Sequence, residues 1–155
     1  MRCKGLGWPG FILPAVSALF LFPCGCSRMP LPSTPPAAPS WKLVGTGGFS
    51  SPAANFFEAF TIDNGTPYVA YADNLYGGKA TVMKYNGSGW VNVGNPGFSA
   101  GSAQYLSIVV DNGTPYLAYQ DFGFGGCATV MKFDGTNWVN VGNPGFSTGT
   151  AMFLS

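Results

Sequence analysis

From Tyr105 onward the apolar positions fall in four short blocks, YLSIVV over 105–110, YLAYQ over 116–120, ATVMKF over 128–133 and WVNV over 138–141. Runs this short, rich in β-branched and aromatic residues and bounded by turn formers, predict strands, and no window carries helical spacing. Asp111-Asn112-Gly113 follows the first block, and Asn-Gly suits a two-residue hairpin because both residues accept positive φ. Pro115 opens the second block, where a missing N–H is tolerated. A Gly-rich loop over Phe122–Gly126 leads to the third, and Asp134-Gly135 turns the chain into the fourth. The pattern predicts a four-stranded antiparallel meander.

The same pattern occurs 48 residues earlier. Asp63-Asn64-Gly65-Thr66-Pro67-Tyr68 recurs as Asp111-Asn112-Gly113-Thr114-Pro115-Tyr116, and Trp90-Val91-Asn92-Val93-Gly94 recurs as Trp138-Val139-Asn140-Val141-Gly142. Between Thr81–Ser99 and Thr129–Ser147, 15 of 19 positions are identical. A further copy of the last block begins at Trp41, displaced by 49, and the start of another first block lies at Met152–Ser155. Repetition at this period predicts one supersecondary unit per repeat, and neighbouring units must stack because one sheet cannot cover both of its faces. Trp41, Trp90 and Trp138, with Phe49, Phe98 and Phe146, recur at the repeat period and are expected to pack between units.

Four strands in 48 residues resemble a β-propeller blade, with a length between those of WD and kelch blades. Thr61–Tyr68 also resembles a loose Asp-box, although Val109 stands where the second copy would need Ser or Thr. The chain carries neither the Gly-His and Trp-Asp pair of WD repeats nor the kelch double glycine on a strand. The resemblance implies an all-β fold of propeller-type blades over residues 41–155. It divides into a partial copy over 41–50, repeats near 51–99 and 100–147, and a truncated start over 148–155. Closed propellers use at least four blades. Two and a half repeats therefore imply either a truncated chain or a ring closed between copies as a homo-oligomer.

The first 26 residues read as an address rather than as part of this fold. Arg2 and Lys4 precede an uncharged apolar run over Phe11–Phe22, which is short for a spanning helix of about 20 residues and suits a secretory signal. Pro23-Cys24-Gly25-Cys26-Ser27 resembles the bacterial lipoprotein signal, with small Gly25 before Cys26, although Pro23 stands where that signal usually has Leu. The resemblance implies acylation of Cys26 and a membrane partner reached through a lipid anchor in the cell envelope; ordinary cleavage with secretion, and an uncleaved anchor, are the alternatives. Five prolines within residues 27–40 predict an extended spacer.

Charge and chemistry narrow the function. Seven basic and six acidic side chains, without a basic cluster, give no electrostatic footprint for nucleic acid. The chain contains no histidine, which excludes Ser-His-Asp and Cys-His catalysis and most zinc sites. Beyond residue 26 the only cysteine is Cys127, at the position of Lys79 in the preceding repeat, so no disulfide framework or metal cluster is expected. No cofactor is implied. Asp73 and Asp121 recur at the exit of the second strand, beside loops that carry Tyr76 and Phe124. An acid at a loop end ordinarily bonds nearby backbone N–H groups. Repeat-related acids also admit a glycosidase-like pair, and aromatic faces beside Asp or Asn admit sugar stacking, as in the tachylectin-type lectins whose repeats have similar length. The expectation is a non-catalytic exported binding or interaction scaffold for a protein or glycan ligand. A propeller-type lectin is the alternative and a glycosidase fragment the remote one, with Asp73, Tyr76, Asp121 and Phe124 as candidate ligand residues.

Overall fold

The computed structural model describes residues 38–50 and 58–154. Residues 1–26, including Cys26, most of the proline-rich segment, and residues 51–57 of the first repeat lie outside the described residues. Residues 40–155 make one compact unit. In chain order its strands are β1 (Glu58–Asp63), β2 (Thr66–Asp73), β3 (Lys79–Tyr85), β4 (Trp90–Asn92), β5 (Ala103–Asp111), β6 (Thr114–Asp121), β7 (Cys127–Phe133) and β8 (Trp138–Asn140). They build two four-stranded antiparallel sheets, β1-β2-β3-β4 and β5-β6-β7-β8, each a simple meander. Among the described residues no helix is long and apolar enough to cross a membrane.

The turn chemistry explains the meander. Asn64 and Gly65 sit at φ 45° and 79°, and Asn112 and Gly113 at φ 47° and 80°. Two consecutive positive φ values match the twist of the flanking strands, which is why Asn-Gly closes both hairpins. Register is equivalent in the two sheets. Tyr68 faces Lys84 and Ala70 faces Val82 across β2 and β3, while Tyr116 faces Lys132 and Ala118 faces Val130 across β6 and β7. A bulge between Gln104 and Ser107, with Tyr105 at φ 48°, bends the start of β5.

Alternation along each strand gives each sheet two faces. One face of the first sheet, carrying Tyr68, Ala70, Ala80 and Val82, packs on the face of the second carrying Leu106, Ile108, Leu117, Tyr119 and Met131. Ala70, Ala80 and Leu117 are fully buried there. A fully buried Leu contributes about 1.5–3 kcal/mol. Trp138 locks the outer edge of this contact. Its Nε1 donates to Val93 O at 2.7 Å, and its ring stacks on Phe98 with centroids 4.3 Å apart. Shifted by one repeat, Trp90 Nε1 donates to Val44 O at 2.9 Å and stacks on Phe49 at 4.2 Å.

The ends depart from expectation in two ways. Trp41–Val44 and Met152–Leu154 are not strands; among the described residues neither segment has a neighbouring strand to bond. Nor are all the periodic aromatics buried: Trp41 is fully exposed and Phe146 is 59% exposed. A blade-to-blade ring is buried only where the adjoining sheet is present. Phe98 meets Trp138, whereas nothing covers the equivalent Phe146.

Candidate functional site

The four residues singled out in the sequence lie at one end of the sheets. At the end of β2, Asp73 caps a 3₁₀ turn over Asn74–Tyr76: its Oδ1 accepts from Leu75 N at 3.0 Å and its Oδ2 from Thr81 Oγ1 at 3.3 Å. Asp121 does the same for the turn over Phe122–Phe124, its Oδ1 accepting from Gly123 N at 2.9 Å and from Gly101 N at 3.3 Å. Both carboxylates are buried. They fix the loops on which Tyr76 and Phe124 stand half exposed. Gly97 packs under Tyr76 and Gly145 under Phe124, both glycines at positive φ, so each ring is seated on the strand extension beside it.

These loop ends are not equivalent in openness. On the first sheet a cavity of about 280 Å³ opens beside Asp73, lined by residues that include Tyr76, Tyr71, Asn92 and Ser50. On the second sheet the connection from the first sheet passes beside the corresponding carboxylate: Gly101 N bonds Asp121, and Phe122 N donates to Ser102 O at 3.0 Å. Gly101 and Gly123 touch backbone to backbone there, an approach that leaves no room for a Cβ. The loop-end acids therefore serve as turn caps and as a seat for the incoming chain.

The buried phenols beside these acids are strongly perturbed. Tyr71 donates to Met83 Sδ at 3.5 Å, and burial, reinforced by the Asp73 charge, pushes its hydroxyl up to about 12. Tyr119 donates to Met131 Sδ at 3.2 Å and is raised further, first by burial and then by Asp121. Asp121 Oδ2 lies buried nearby without a hydrogen bond.

A recurrent cleft lies at the opposite, hairpin end of the strands, where the sequence singled out nothing. Between the sheets a cavity of about 460 Å³ is lined by Tyr68, Lys84 and Val93 of the first sheet and by the turns Gly113–Tyr116 and Lys132–Gly135 of the second. A cavity of about 550 Å³ on the first sheet is lined by Gly65–Tyr68 and Lys84–Gly87. Those two turns are the 48-residue counterparts of the turns in the first cavity. The difference between the cavities is the wall that the adjoining sheet supplies.

Strand alternation assigns the walls of the inter-sheet cleft. Tyr68 and Lys84, direct cross-strand neighbours, belong to the face of the first sheet that meets the second. Pro115 is buried, and Phe133 packs against the core from the opposite wall. Burial and the nearby Asp63 charge raise Tyr68, which therefore stays a neutral donor at any physiological pH. The rim carboxylate, Asp134, accepts from Thr136 N at 2.9 Å and Asn137 N at 2.8 Å, bonds that hold it below the usual carboxylate range. Both bonds fall on Oδ1, which is thus committed to its own turn. The cleft is lined by two lysines, Lys84 and Lys132, two tyrosines, Tyr68 and Tyr116, the Asp134 carboxylate and the apolar Val93, Pro115 and Phe133. Among the described residues no group of His, Cys, Asp and Glu side chains is placed to hold a metal. The periodic Tyr-Lys pair was visible in the sequence, but only strand register shows that it faces a neighbouring sheet.

Compared with protein families, with curated proteins and with solved structures, the chain gives no match.

Proposed function

We propose that this chain is an exported, non-catalytic binding module of β-propeller type, held at a membrane through acylated Cys26, and that it takes an acidic sugar in the cleft between its sheets. The observation that carries the reading is the recurrence of the same turn-lined cleft on both sheets, completed between them by Tyr68, Lys84 and Val93. The Lys84 ammonium suits a carboxylate, the Tyr68 hydroxyl suits a ring or hydroxyl oxygen, and Phe133 with Pro115 offers the apolar wall against which a sugar face packs. Titratable groups at the loop end give no reason to assign hydrolysis, because both Asp73 oxygens and Asp121 Oδ1 hold the turns and Asp121 Oδ2 is buried.

A glycan array followed by calorimetric titration with glucuronate- or sialate-bearing oligosaccharides tests this. Saturable binding weakened about tenfold or more by Lys84→Gln is expected, since a charge-assisted hydrogen bond is worth about 1.5–3 kcal/mol. Tyr76→Ala and Phe124→Ala should leave it unchanged. Binding that follows the two loop aromatics and ignores Lys84 would move the site to the loop end and favour stacking of a neutral sugar.

A further inference from the structure

Burial of repeat-related residues differs at several positions between the inside of the sheet pair and its two outer faces, although Tyr71 and Met83 on the outer face of the first sheet are buried like their counterparts Tyr119 and Met131. On the inner face of the first sheet Ala70 and Val82 are 0% and 1% exposed, and Val93 is 5%. Of their counterparts on the outer face of the second sheet, Ala118 and Val130 are half-buried and Val141 is 40% exposed. Conversely Ile108, on the inner face of the second sheet, is 8% exposed, while its counterpart Phe60 on the outer face of the first is 62% exposed beside exposed Ile62. Gly94 packs on Phe133 and Trp138, and Gly142 packs on nothing. The two outer faces are thus copies of the two halves of the interface that already holds the sheets together.

We propose that this chain associates with further copies of itself head to tail, the outer face of the second sheet of one copy seating on the outer face of the first sheet of the next. Phe146 takes the place on Trp90 that Phe98 takes on Trp138. Residues 44–49, which bond and stack on Trp90 within one chain, are the segment displaced. Their own exposure, 49% at Val44 and 37% at Phe49, makes them the weaker occupant. The contact is heterologous, so it generates rings or filaments rather than a two-fold dimer. It also closes the open cleft at Gly65–Tyr68 and Lys84–Gly87, because Tyr116, Lys132 and Val141 of the next copy stand where Tyr68, Lys84 and Val93 stand inside the pair. The association rests on burial alone and is independent of the ligand assigned to the cleft.

Complementation separates this contact from unspecific stickiness. Phe146→Asp spoils one face and Phe60→Asp the other, and both side chains are exposed in the single chain, so each variant keeps its fold. Full chains carrying donor or acceptor dyes are mixed at about 1 to 100 µM, and the variants are compared with wild type so that association through the apolar N-terminal run cancels. Energy transfer is expected in wild type, at least tenfold weaker association in each variant alone, and recovery when the two variants are mixed, because their intact faces are complementary. Absence of transfer in wild type, variants that associate as wild type does, or a mixture that stays silent would each overturn the proposal.

Discussion

Replacing Trp138 by Ala tests whether stacking between sheets holds the unit together. The ring is 8% exposed, lies stacked on Phe98 at 4.3 Å with an interplanar angle of 6°, and donates to Val93 O at 2.7 Å. Truncating a buried aromatic of this size costs about 3–5 kcal/mol. Within that loss the aromatic pair accounts for about 0.5–1.5 kcal/mol, and a carbonyl left without its donor for about 1–3 kcal/mol. Trp90→Ala removes the same side chain from the equivalent position, but its partners differ. Phe49 is 37% exposed and Val44 49% exposed, so water replaces the lost bond and little cavity forms. That variant should cost about 0.5–1.5 kcal/mol, the value of the ring pair alone. Against a total stability of about 5–15 kcal/mol, the two variants should be plainly separated. Urea unfolding followed by far-UV circular dichroism reads the difference as a shift in midpoint at constant slope. Trp138→Phe, which keeps a ring and removes the donor, should fall between them. Equal losses in the two alanine variants, or a larger loss for Trp90→Ala, would refute the argument that the adjoining sheet sets the worth of the residue.

Stability should fall in alkali through the two buried phenols. Because Tyr71 and Tyr119 hold their protons above the ordinary value of 10, the folded state binds more protons than the unfolded one once pH exceeds about 10, and unfolding free energy declines by up to about 1.4 kcal/mol per pH unit for each. For Tyr71 this loss runs to about pH 12. Urea midpoints at pH 8, 10 and 11 should show the decline, and Tyr71→Phe with Tyr119→Phe should flatten it; an unchanged slope would mean that other groups govern the alkaline limb. At the N-terminus, a bacterial host fed labelled fatty acid should acylate the wild-type chain and leave Cys26→Ser unlabelled, and label persisting in Cys26→Ser would remove that residue as the anchor.

Much of the fold was legible because its determinants are local. Asn-Gly at 64–65 and 112–113 fixes the hairpins through backbone conformation alone, and strand blocks read from alternation agree with β5 to β8 to within about two residues. The bulge at Tyr105 was not legible, since nothing in Gln-Tyr-Leu announces a residue at positive φ. Trp41 was misread as the start of a strand for a different reason. Its block is nearly the same as those at Trp90 and Trp138, but a strand exists only by bonding a neighbour, and among the described residues the first block has none. Sequence identity fixes which surface a segment offers, while its partner decides whether that surface is used.

The same distinction explains why the loop-end residues stand out in the sequence and the inter-sheet cleft does not. Asp73 and Asp121 are charged and periodic and sit beside aromatic loops, which is the sequence signature of a binding site. Yet a short carboxylate at a strand exit is consumed by the first two or three N–H groups it meets, here Leu75, Gly123 and Gly101. Lys84, by contrast, looks like an ordinary surface residue of a strand. Its interest comes from the 4-strand meander placing it beside Tyr68 on the face that the next sheet approaches. A site made between repeats has half of its wall in each, so no single motif contains it. For the same reason such a site should multiply with every sheet added to the stack, whether that sheet comes from the same chain or from the next copy.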